Sequence, residues 1–170
     1  NYFAMNKEVQ KVSTAIRISF PEKYITNNNR KINSETPEVY ELLNILMAIS
    51  KPGQSGKISV NKNTDYYKKV KDHFFEYKNH PAVIKIEELL KQTSYSTLRL
   101  IFAYEFRNDK IVHNGIYNSN YMKSFNEEYI SLMEDFATKT KYREFYQNNK
   151  TLYQKINQSF KDIVPLRQVW

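Results

Sequence analysis

The chain has 170 residues, 41% hydrophobic and 26% charged, and carries a net charge of +8 from 26 basic and 18 acidic side chains. This composition excludes wholesale disorder, and the length makes one ordinary domain with core enough to fold without disulfide or metal. Cysteine is absent and glycine occurs three times, which removes thiol catalysis, thiolate metal sites, disulfide scaffolds and Gly-rich phosphate loops.

Val12, Thr14, Ile16, Ile18 and Phe20 alternate with other residues, predicting one half-buried strand stopped by Pro21. A polar loop follows from Thr26 to Ser34. The strongest helix signal comes next. Thr36 reads as a side-chain N-cap, Pro37 as the first helical residue, and Glu38 and Glu41 as carboxylates at the positive helix end. Val39, Leu42, Leu43, Leu46, Met47 and Ile49 give this helix a broad apolar face, and Pro52-Gly53 ends it. Ile58 and Val60 suggest a short strand or an extended connection.

A second helix opens after Asn63 or Thr64, with Tyr67, Val70 and Phe74 as its buried stripe. Asn79-His80-Pro81 breaks it and starts a third, because the residue before proline avoids the α region. Leu98, Ile101, Phe102 and Phe106 mark a fourth helix, and Asn108 to Tyr121 a polar connection. Ser124-x-x-Glu127 is a capping box, with Tyr129, Leu132, Met133 and Phe136 recurring behind it. A short helix around Tyr142 to Gln147 and a longer one from Asn149 to about Ile163 complete the series, and Pro165 closes it. The expected fold is mainly α, an irregular bundle of about six helices with one or two short N-terminal strands. Residues 1–35 form a strand and polar-loop lead-in, and residues 36–170 the helical domain.

The charge is concentrated at the two ends of the chain, while residues 63–137 hold ten basic and eleven acidic side chains. Phosphate binding needs basic groups neutralised together, and no continuous stripe is present. Specific nucleic-acid binding is therefore not expected. No apolar run approaches the twenty or so residues of a bilayer span, so no transmembrane segment is expected either.

One region groups metal-ligand residue types. His73, Glu76 and His80 would share a face of a straight helix and offer two imidazoles and a carboxylate to a zinc ion with an open position. The Asn79-His80-Pro81 break and a spacing unlike H-E-x-x-H argue against it. Glu105 and Arg107 are candidate binding residues beside Tyr104, and His113 is a third in a polar loop before Asn114-Gly115. No serine or threonine has a base at motif spacing, so no catalytic residue is assigned and no cofactor is expected.

Three stretches carry a resemblance: Thr36-Pro37-Glu38-Val39-Tyr40-Glu41-Leu42-Leu43-Asn44-Ile45, then Tyr66-Tyr67-Lys68-Lys69-Val70 continuing to Tyr77-Lys78-Asn79-His80-Pro81, and the tail from Phe145-Tyr146 to Val169-Trp170. Together they resemble an uncharacterised family of secreted bacterial proteins, a domain-of-unknown-function group whose members are similar to metallopeptidases of about twice this length. The resemblance implies an extracytoplasmic address, secreted, periplasmic or lipid-anchored. It also implies a non-catalytic N-terminal helical region that scaffolds or lines the cleft of a C-terminal segment of the same protein. With Asn1 in first place and no signal-peptide pattern, the chain reads as a processed or excised piece. The alternative expectation is a self-contained binding module for protein, glycan or nucleic acid, working through basic and aromatic surface. A concave basic-aromatic groove would favour the module; an exposed apolar surface around Leu166, Val169 and Trp170 would favour the scaffold.

Overall fold

Helices dominate the computed structural model, which describes residues 22–28, 34–92, 98–115 and 127–163. Helix α1 spans Glu22–Asn28, α2 Glu38–Ile49, and α3 is the single turn Lys51–Gln54. Helix α4, Asp65–Phe74, runs into a 3-10 turn at Phe75–Tyr77, and α5 covers Pro81–Gln92. A second 3-10 turn, Arg99–Ala103, feeds a hairpin of β1, Tyr104–Arg107, and β2, Lys110–His113. Then come α6, Glu127–Lys139, α7, Tyr142–Asn148, and α8, Lys150–Ile163. The mainly α expectation holds. The strand expected over Val12 to Phe20, the Ser124 end of the capping box and the Leu166 to Trp170 tail lie outside the described residues.

Helix α2 is the axis of the fold. Val39, Leu42, Leu43, Ile45, Leu46, Met47, Ala48 and Ile49 are all buried, so the helix is enclosed on every side rather than along one stripe. It packs against α4, α5, α7, the 3-10 turn before the hairpin, and β1. Around it, Val70 and Phe74 of α4, Ala82, Val83 and Ile86 of α5, and Met133 and Phe136 of α6 close one core. An aromatic cluster fills the far side: Phe74 lies 4.8 Å edge-on from Phe145 and 5.9 Å, stacked, from Phe136.

Local chemistry sets the helix ends, and at α2 it differs from the expectation. Pro37, not Thr36, is the N-cap, in an extended conformation at φ −62° and ψ 137°, and its carbonyl accepts from the Glu41 amide at 2.9 Å. The Thr36 hydroxyl is turned away to Asn157 of α8 at 3.5 Å. Pro52-Gly53 does not simply end the helix. Ser50 ends α2 and caps α3, its hydroxyl donating to the Met47 carbonyl at 2.7 Å and accepting from the Gly53 amide at 3.3 Å. A Cβ on Gly53 would collide with the Met47 and Ala48 carbonyl oxygens, the second only 2.9 Å away. At α4, Thr64 is the side-chain cap, accepting from the Tyr67 amide at 3.0 Å.

The sheet is the main correction. Ile58 and Val60 form no strand, and the fourth helix expected through Phe106 gives way to the hairpin after one 3-10 turn. The pairing is antiparallel, Tyr104 opposite His113 and Arg107 opposite Lys110. Asn108 and Asp109 make the two-residue turn with φ of 47° and 64°, the left-handed pair that matches strand twist. Asn and Asp tolerate this region, whereas most residues do not. Glu134 and Arg143 hold the hairpin against the helices: Glu134 of α6 accepts from the Ile111 amide and the Lys110 ammonium, both at 2.8 Å, and Arg143 of α7 donates to Asp109 at 2.7 Å.

Gly53→Ala tests the α2–α3 corner. It should cost about 1–3 kcal/mol, as overpacking a tight site does, read from urea unfolding midpoints. Gly56→Ala, whose Cβ would meet nothing within 4 Å, should lose only what its left-handed φ of 81° demands, about 1 kcal/mol.

Candidate functional site

Helix α2 is enclosed, and one of its two carboxylates is carried into the core. Glu41 is 8% exposed. Its Oε1 accepts from the Tyr66 hydroxyl of α4 at 2.6 Å and its Oε2 from the Asn44 amide at 3.1 Å. The Tyr66 hydroxyl lies 2.6 Å from that of Tyr153 on α8. A phenol has one proton. With the Tyr66 proton given to Glu41, Tyr153 donates to Tyr66, and the chain runs Tyr153 to Tyr66 to Glu41. Burial pushes the Glu41 carboxyl above its usual value, opposed by the two hydrogen bonds. Burial and the nearby carboxylate likewise push Tyr66 far up.

Tyr153 joins this chain to a cleft of about 980 Å³. The residues before α2 form one wall, the hairpin and its 3-10 turn another, and α7 and α8 the floor. Five aromatic residues line it, Phe102, Tyr104, Phe106, Tyr146 and Tyr153. Tyr146 and Tyr153 stack at 4.9 Å, and the Tyr146 hydroxyl donates to the Thr36 carbonyl at 2.6 Å, tying the entry of α2 to α7. Burial, with help from Glu38 and Glu41, pushes the Tyr146 phenol up to about 12. Between the rings stand Asn114, Gln154, Asn157 and Gln158. Asn157 is held by the Ser34 and Thr36 hydroxyls at 3.2 and 3.5 Å.

The cleft lining is acidic, and two of its carboxylates are bridged by arginines. Glu35, Glu38, Glu105 and Lys150 line it. Glu38 is paired with Arg143 at 3.0 Å and Glu105 with Arg107 at 2.6 Å. Glu35 and Lys150 are the remaining charges of the lining, and Arg143 is shared with Asp109. A chain of net +8 thus folds a cleft lined by three carboxylates and one ammonium.

The sequence candidates fall in two places. Glu105 lines the cleft, Arg107 reaches it through Glu105, and the His113 ring meets Tyr104 edge-on at 5.5 Å. His113 accepts from the Gly115 amide through Nδ1 at 3.0 Å. The hairpin register sets Tyr104 opposite His113, which places His113 on the Tyr104 face of the hairpin and Glu105 and Arg107 on the other. His73, Glu76 and His80 do not converge. His73 turns its Nε2 to the Thr140 carbonyl at 2.8 Å, and Glu76 is exposed on the 3-10 turn after α4. His80 is buried, with Nδ1 accepting from the Ala82 amide at 3.2 Å and Nε2 donating to Asp135 at 3.0 Å. Burial lowers its pKa despite Asp135. No group of three His, Asp or Glu that could hold a metal ion occurs among the described residues.

Glu41 and the tyrosines were not singled out from the sequence. Glu41 reads as a dipole partner in the first turn of a helix, and Tyr66, Tyr146 and Tyr153 as packing residues. The signal for Glu41 was present in α2, since apolar residues at 39, 42, 43 and 45–49 leave a helix without a polar face.

No protein family, no curated protein and no solved structure matches this chain. No helix among the described residues is long and apolar enough to cross a membrane.

The Glu41 carboxyl has a definite pH signature. Its folded pKa is raised, so its contribution to stability is complete below about pH 4.5, the value for an unfolded glutamate, and is lost as pH rises through the folded pKa. Glu41→Gln removes the ionisation and keeps an acceptor for Tyr66. The variant should exceed the parent by on the order of 1 kcal/mol at pH 8 and lose that advantage at pH 4, measured by urea denaturation across the range. A constant difference at all pH values would contradict the buried ionised carboxylate.

Proposed function

We propose that this chain is a binding module, and that the cleft walled by the hairpin and α8 takes a segment of neutral oligosaccharide. The observation that carries this reading is the pairing of half-buried rings with carboxylates that are bridged by arginines, with no basic cluster among the described lining residues. Phe102, Phe106 and Tyr146 are each partly exposed in a cleft where Glu38 and Glu105 are matched by Arg143 and Arg107. Sugar rings offer apolar C–H faces that stack on aromatic side chains and hydroxyls that both donate and accept. The amides of Gln154 and Asn157 and the paired carboxylates supply fixed partners for those hydroxyls. A volume of about 980 Å³ suits a few sugar units. Phosphate-rich ligands fit less well, because a cleft lined by three carboxylates and one lysine offers phosphates no basic cluster to neutralise them.

The extracytoplasmic address implied by the family resemblance belongs to the same proposal, since it would set the module where free and surface-bound glycans occur. The scaffold role implied by that resemblance depends on the Leu166 to Trp170 surface, which lies outside the described residues.

Calorimetric titration with panels of neutral and of sulfated oligosaccharides tests the reading, with single-stranded RNA as comparator. A neutral glycan should bind with an affinity that changes less than about two-fold between 50 and 500 mM salt. Tyr146→Ala should weaken it at least ten-fold by removing a ring platform, and Tyr146→Phe should retain most of the binding. RNA binding that is tight and steeply salt-dependent, with no glycan response, would overturn the proposal.

A further inference from the structure

We propose that a second pocket, beside the middle of α2, is a binding site for a small molecule bearing a primary alkylammonium group, with Glu41 as its counterion. The pocket holds about 300 Å³ and lies between α2, the extended Ile58 to Asn61 segment and the start of α4. Ile45, Ile58, Val60 and Val70 give it apolar walls, and Glu41 is part of its lining.

Glu41 sets the chemistry. Both its hydrogen-bond donors, Tyr66 and Asn44, are neutral. A carboxylate offers about four acceptor positions, so about two are left. The ion pairs among the described residues engage Glu38, Glu87, Glu88, Glu105, Glu128 and Glu134 but not Glu41. A carboxylate withdrawn from water without a cation is costly, and the cost falls when a cation comes to it. The buried Glu41 side chain borders this pocket.

The rest of the pocket selects the kind of cation. A divalent metal wants six or more oxygen ligands, and no group of three acidic or imidazole side chains is disposed to hold one among the described residues. An organic ammonium needs one carboxylate for its N–H donors, apolar walls for its chain, and gains from aromatic rings. Tyr66 and Tyr67 line the pocket and supply those rings. The volume sits at the small end of ligand pockets, which favours a short alkyl amine over a peptide or a guanidinium compound. This site is separate from the glycan cleft, and nothing in its argument depends on what the cleft binds.

The probe is n-butylammonium chloride at pH 8, with n-butanol and sodium butyrate as neutral and anionic controls of the same chain length. Butylammonium should raise the melting temperature saturably, by about 3–6 °C at ten times its dissociation constant, while the controls leave it unmoved. Glu41→Gln should weaken butylammonium binding at least ten-fold. In the parent protein labelled with ¹³C-glutamate, the Glu41 side-chain carboxyl resonance should titrate with butylammonium and not with butanol, a readout that does not depend on any variant folding. An unmoved Glu41 resonance at saturating amine, or an equal melting shift in Glu41→Gln, would overturn the proposal.

Discussion

Everything in this structure depends on the enclosure of α2. A helix with apolar residues on all sides cannot lie on a surface, so α4, α5, α7 and the hairpin must all come to it. Burial of a Leu or Ile side chain stabilises by about 1.5–3 kcal/mol, and α2 brings several such residues to the centre at once. The same enclosure fixes the fate of every polar group on the helix. Asn44 stays partly exposed, whereas Glu41 is carried inward. The fold then has to supply partners for a charged group that its own hydrophobic axis has buried.

Those partners come from tyrosines. A phenol can bury a ring and still present one donor and an acceptor at its tip. Tyr66 spans from α4 to Glu41, and Tyr153 spans from α8 to Tyr66. Tyr142 of α7 donates to the Glu38 carbonyl at 2.5 Å, and Tyr146 to that of Thr36. Tyr66, Tyr142 and Tyr146 therefore hydrogen-bond into the first turn of α2 and the residues leading to it. Tyr153 joins them through Tyr66. The rings of Tyr146 and Tyr153 also line the cleft. The high tyrosine content of the chain, fourteen in all, thus serves packing, hydrogen bonding between helices and surface chemistry together.

Periodicity and caps made the helices legible. The boundaries of α4, α5, α7 and α8 fall within a residue or two of what Thr64, Pro81, Tyr142 and Asn149 signal. The hairpin was not legible, because Leu98, Ile101 and Phe102 also fit a helical stripe and Asn108-Asp109 lacks the glycine that marks most two-residue turns. The cap at α2 was misread for a different reason: Thr36 had a better partner in Asn157, 121 residues away. The site shared that difficulty. Glu105, Arg107 and His113 could be found because they are polar residues close together in the chain. Glu41, Tyr66, Tyr146 and Tyr153 meet only when four helices assemble, and no local pattern carries that information. Charge gave a misleading hint as well, since a basic chain encloses a cleft lined by three carboxylates and one lysine.

The hydrogen-bond chain also gives the cleft floor a polarity. With Glu41 ionised, Tyr66 must donate to it, and Tyr153 must donate to Tyr66. Tyr153 then has no proton left for the cleft and offers only an acceptor there. The Tyr146 proton is likewise committed, to the Thr36 carbonyl. Two of the aromatic rings therefore face a ligand with oxygen acceptors alone, which favours ligand groups that donate, such as hydroxyls, over carbonyls or phosphates. The selectivity of the outer surface follows from a carboxylate on the buried axis, and the phenols between them carry the constraint outward.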